Sequence, residues 1–184
     1  SCATHFSTRC GATVLSAHLW RHPLLTLHHA RVLCNCGLDV NKHMYVADRG
    51  YCTALCTVQN KDIARFYLQK NAEVNVTGTC SHSFPDPPLH YIVQNFKPWA
   101  SKVAANASTT KIDLVQLLLA HGADLSLKNH AGSTCIRICS AQDIDVVRLL
   151  FQQPGSGTSF AGHITLRADH PPVLAAYYLY YLPL

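Results

Sequence analysis

Carboxylates are scarce in this chain: 10 Asp and Glu among 184 residues, against 15 Lys and Arg. Those present fall mainly at predicted helix starts (Asp62, Asp113, Asp143) or just behind predicted helix ends (Asp39, Glu73, Asp124). An acid at a helix start meets free amides and the positive end of the helix dipole. These positions therefore read as structural, and acid–base catalysis has little to work with. No Gly-rich loop ends in Gly-Lys-Ser or Gly-Lys-Thr, so a phosphate-cradling P-loop is excluded. Gly155-Ser156-Gly157 lacks the strand–turn–helix frame of a nucleophile elbow and reads as a loop. The chain is not expected to be an enzyme.

Other absences narrow the partners. No apolar run reaches the ~18 residues a membrane helix needs, so no membrane association is expected. A basic segment followed by an apolar one, the mark of a signal peptide, is missing from the start. The first residue is Ser1 rather than Met, which suggests a processed or excised piece of a longer protein. The net charge is +5, but Lys and Arg are scattered and never form a run interleaved with aromatics. Nucleic acid is therefore not an expected partner.

Cysteine and histidine are plentiful, at 9 and 12, yet poorly arranged for metal. Structural zinc needs four convergent ligands in tight pairs. Cys34/Cys36, Cys52/Cys56, Cys80/His82 and Cys135/Cys139 supply half-sites with no partner half at a recognised distance. No metal and no cofactor are expected. The odd cysteine count suits free, buried thiols that pack as small hydrophobes. That in turn suits a reducing compartment, so an intracellular location, cytoplasmic or nuclear, is expected. The sequons Asn75-Val76-Thr77 and Asn106-Ala107-Ser108 carry no weight in such a setting.

What the chain does have is self-similarity. Asp113-Leu114-Val115-Gln116-Leu117-Leu118-Leu119-Ala120-His121-Gly122-Ala123-Asp124-Leu125 ends much as the stretch from Asp62 to Asn75 ends. A third copy runs from Ala30 to Asn41, and a shorter fourth from Asp143 to Phe151. Apolar residues recur at three- and four-residue spacing, as in Leu114, Leu117, Leu118 and Ile63, Phe66, Tyr67, which predicts one-sided helices. Gly37, Asn71 and Gly122 stand where a helix end favours a left-handed residue. Ahead of each tail comes a turn and a shorter predicted helix: Gly11–Leu15, Gly50–Leu55, Pro87–His90 and Gly132–Ile136. Thr53 and Thr134 are placed to cap two of these.

Four openings and four tails in order resemble the ankyrin repeat, whose signature is T-P-L-H-x-A at a period near 33. The resemblance spans roughly residues 8 to 151. It implies an all-α solenoid of stacked helix–turn–helix units with hairpin-like finger loops. The units fall at about 8–41, 48–75, 86–126 and 130–151, within a repeat region of 1–151. The first is about three residues longer than consensus and the second about three shorter. The third carries an insertion at about 95–110, expected to leave from the end away from the fingers. Residues 152–184 read as a loop and then a degenerate terminal cap or truncated repeat.

The resemblance implies a non-catalytic scaffold for protein–protein interaction, binding through its concave, finger-lined face. The expected partner is another protein, and the chain a monomer or part of something larger. Two alternatives are a substrate-recruiting part of a larger enzyme, such as a ubiquitin-ligase adaptor, and a small-ligand or nucleotide-sensing module. The fingers would be about 42–52, 78–87 and 127–133, and Tyr45, Arg49, Tyr51, Lys128 and His130 are the expected contact residues. Phe84 and Trp99 are further aromatics in predicted loops.

Overall fold

A computed structural model describes residues 25–46, 50–76, 86–96, 109–140 and 143–153. The opening of the first unit (11–15), the linker with Phe84, the insertion with Trp99, the C-terminal segment 154–184 and Arg49 lie outside the described residues. The described fold is helical. Its helices are α1 (Leu27–Asn35), α2 (Lys61–Gln69), α3 (Pro88–Asn95), α4 (Lys111–Ala120) and α5 (Ile144–Phe151). A hairpin of β1 (Met44–Val46) and β2 (Gly50–Cys52) and a 3-10 turn (Ala54–Thr57) lie between α1 and α2.

Local chemistry explains where the helices start. Thr26 and His29 form a reciprocal capping box at α1, and Thr110 and Asp113 form another at α4. The Asn60 carboxamide oxygen accepts from the Asp62 and Ile63 amides at α2. Pro88 opens α3, where its missing N–H costs nothing. The capping bonds from Thr110, helped by Lys61, hold the Asp113 carboxyl down at about 2.

Three helices stop in the same way. Gly37, Asn71 and Gly122 have φ of 92°, 60° and 82°. The residue after each donates its amide to a carbonyl five residues back: Leu38 to Leu33, Ala72 to Tyr67, Ala123 to Leu118, each at 3.0 Å. The left-handed residue itself donates three back, to Cys34, Leu68 and Leu119. This is the Schellman ending, repeated unit by unit.

Two shorter helices came out differently from expectation. Thr53 sits at the N-cap position of the 3-10 turn but makes no side-chain capping bond. Thr134 does not start a helix, because residues 135–138 form only turns. In the second unit the segment Ala54–Thr57 is only four residues long, too short for an α-helix to propagate. In the fourth, the β-branched Ile136 and Ile138 weaken a segment already too short.

The longer helices pack in a row: α1 on α2, α2 on α4, α4 on α5. The second row places the 3-10 turn on α3, and each of these also packs on the longer helix that follows it, α2 or α4. Chain order is broken because α3 belongs to the second row. One hydrophobic cluster runs through both rows, from Ala30 and Val40 through Tyr67, Leu89 and Leu118 to Leu150. Phe66, expected on the core face, is only half-buried against it.

Two side-chain ladders repeat with the units. The Asn41 carboxamide donates to the Asn71 carbonyl and accepts from the Glu73 amide. Asn75 does the same to Gly122 and Asp124. Sequence separations grow from 30 to 47 and from 32 to 49 between the two bridges, and the second spans α3 and the residues up to α4. At the helix N-termini, Lys61 Nζ meets Asp113 Oδ1 at 2.9 Å and Lys111 Nζ meets Asp143 Oδ1 at 2.6 Å.

Tyr67 offers a test of this packing. Its ring is wholly buried, and its hydroxyl has no hydrogen-bond partner among the described residues. Burial first, then the neighbouring Cys34, pushes its pKa up. Tyr67→Phe is expected to raise stability by about 1 kcal/mol, by removing a desolvated, unpaired group. A urea midpoint below the parent's would show that the hydroxyl is bonded.

Candidate functional site

The five expected contact residues sort onto two loops. Tyr45 and Tyr51 are direct partners across the β1–β2 register. Arg49, between β1 and β2 in the sequence, lies outside the described residues. Lys128 and His130 are both exposed, on a tight loop closed by a bridge between Lys128 and Thr134. The second finger, expected at about 78–87, lies almost wholly outside the described residues.

The loop at 128–134 is heavily supported. The buried Asn129 carboxamide accepts from the Ala131 and Ser133 amides, and the Asn129 amide donates to the Ser133 carbonyl. Gly132 turns the chain with φ of 74° and donates back to the Asn129 carbonyl. Asp86 reaches across from the start of the third unit. Its Oδ1 accepts from the His130 amide at 2.9 Å and faces His130 Nδ1 at 2.8 Å. The Asp86 side chain is 9% exposed and that of His130 61%, so a buried acid orients an exposed imidazole. His90, on α3, is fully buried, and its Nε2 donates to the Ser133 carbonyl at 3.1 Å.

Asp86, His90 and Asn129 were not singled out from the sequence as site residues. Asn129 through Gly132 does carry a readable turn signal. Asp86 carries none, and His90 is legible only as the end of the opening Pro87–His90, because their partners lie 44 and 43 residues away.

The inner row contributes less surface than the resemblance implies. All residues of the 3-10 turn are buried, and so is α3 from Pro88 to Val93. Gln94 is the exposed residue of α3. Contact surface on this side therefore comes from the loops rather than from the shorter helices.

Of the six described cysteines, Cys52, Cys56, Cys135 and Cys139 are buried, as the packing expectation has it, while Cys34 is half-buried and Cys36 exposed. Burial pushes the Cys135 thiol up to about 12 and raises that of Cys139 further, which makes both poor nucleophiles. Among the described residues no group of three or more His, Cys, Asp or Glu converges on a possible metal position. No described helix is long and apolar enough to cross a membrane. A shallow cleft of about 460 Å³ lies at the ends of α2 and α4, lined by residues that include Asn71, Glu73, Asn75 and His121. It holds none of the five expected residues, and Glu73 is its charged lining group, the wrong sign for a phosphate.

No protein-family model matches this chain, and no curated protein matches its sequence.

Proposed function

We propose that the chain is an ankyrin-type repeat stack that binds a partner protein through its finger loops and has no catalysis of its own. One observation carries the reading. The loop at 128–134 is held by Asn129, Asp86 and His90, while Lys128 and His130 stand exposed upon it. A loop fixed before binding loses little conformational entropy on binding. The repeated Schellman endings and the Asn41 and Asn75 bridges support the stack. The hairpin adds Tyr45 and Tyr51 from an earlier unit, and with Arg49 they are of types enriched among binding hot spots.

Affinity capture from a cell lysate, with the whole chain as bait, tests this. The pairs Arg49→Ala/Tyr51→Ala and Lys128→Ala/His130→Ala are each expected to weaken capture about tenfold, as loss of a hot spot does. Replacing 97–108 by a short linker is expected to leave capture intact. The opposite pattern, loss with the linker and none with the finger pairs, would move the binding surface to the insertion.

A further inference from the structure

His90 is the only buried histidine among the described residues. Its Nε2 faces a carbonyl, which can only accept, so Nε2 carries the proton of the neutral ring. The Nδ1 atom is enclosed and has no hydrogen-bond partner among the described residues. A second proton would have to sit on that enclosed atom. The bond at Nε2 is also one of the ties that dock the loop at 128–134. We propose that this loop is a pH-responsive finger: neutral His90 docks it, and uptake of a proton by His90 releases it. The proposal rests on the partner-binding reading only for its biological consequence. The docking itself is read from the chain alone.

Charged and titratable groups lie on several described elements around His90. Asp86 precedes α3, Cys56 comes from the 3-10 turn, Lys111 reaches the Val93 carbonyl from α4, and the loop carries Lys128 and His130. Burial holds His90 below the ordinary histidine value, and it outweighs the Ser133 carbonyl, the Asp86 charge and the Leu127 carbonyl, which all favour the proton. Docking is therefore complete above the pH where a free histidine titrates, about 6.5, and weakens as the pH falls below it. His130 Nδ1 lies 2.8 Å from Asp86 Oδ1, with the imidazole mostly exposed. If release returns His90 to water, the opening constant rises about tenfold between pH 7.5 and 5.5.

Amide hydrogen exchange on the whole chain, corrected for intrinsic rates, tests this at those two pH values. The Asn129, His130 and Gly132 amides are expected to lose about tenfold in protection on acidification, while the α4 amides hold theirs. His90→Gln keeps a donor near Nε2 but cannot titrate, and its loop is expected to show no such change. Unchanged loop protection in the parent chain overturns the proposal. So does an equal loss in parent and variant, or a loss shared by loop and α4. Should the variant not fold, the ring nitrogens of His90 decide by NMR in the parent chain. A neutral ring protonated at Nε2 is expected at pH 7.5, and the other tautomer, or a proton taken up with the loop still docked, overturns it. Failure of the finger variants to lose a partner at pH 7.5 would bear on the binding reading alone.

Discussion

Leu118→Ala is expected to cost about 2–5 kcal/mol of stability, as other large-to-small changes in a packed core do. Leu118 is 0% exposed and belongs to the cluster that joins both rows of helices. Its carbonyl also accepts the Ala123 amide of the helix ending, so no rotation of α4 can carry the side chain outward without breaking that end. Relaxation of the neighbours sets where the cost falls within the range. Urea unfolding measures it directly. A midpoint equal to the parent's would mean that the cavity is not formed and that the helix phase is wrong.

Lys111→Met is expected to cost about 3 kcal/mol at neutral pH, the loss typical of breaking a buried ion pair from one side. The Lys111 ammonium binds both Asp143 Oδ1 and the Val93 carbonyl, and the two side chains are 20% and 6% exposed. Burial alone would raise the Asp143 pKa. The bonds from Lys111 and Ser140 overcome it and leave the carboxyl below its ordinary value. In the parent chain that contribution is present at neutral pH and fades as the pH falls through the carboxylate range. Without Lys111 the carboxylate stays buried with Ser140 alone, and its pKa rises, so acid relieves the variant. The gap between variant and parent should therefore narrow from pH 7 to pH 4. Adding Asp143→Asn to Lys111→Met should recover part of the loss at neutral pH. By contrast, removing Arg65 from its exposed pair with Asp62, at 51% and 57% exposure, should change stability by no more than about 0.5 kcal/mol. A loss for Lys111→Met as small as that would show the pair to be solvated.

The features legible in the sequence are those set within one turn of helix. Gly37, Asn71 and Gly122 mark helix ends by residue type, and all three adopt the left-handed conformation expected of them. The capping box at Thr26 is likewise closed within one turn, by His29. The core phase at Leu114, Leu117 and Leu118 follows from spacing alone. Features that depend on distant partners were not legible. Asn41 and Asn75 look like any polar residue after a helix, and their role appears only once neighbouring units lie side by side. Lys61 and Lys111 look like solvated charges until Asp113 and Asp143 arrive from the next unit. The expectation for Thr134 failed for another reason. A repeat pattern predicts a helix at that position, and local propensity over so few residues overrode it. At the candidate site, Lys128 and His130 could be named from the loop, whereas Asp86 and His90, which hold it, could not.

The central claim is that small units stack as nearest neighbours. Native-state hydrogen exchange on Leu118→Ala tests it most directly. In such a stack each unit depends on those beside it, so damage should be graded. Protection is expected to fall most in α4, less in α2 and α5 which pack on it, and least in α1, which meets α4 through α2. An equal loss across α1, α2, α4 and α5 would mean one cooperative globular core and would contradict the stack.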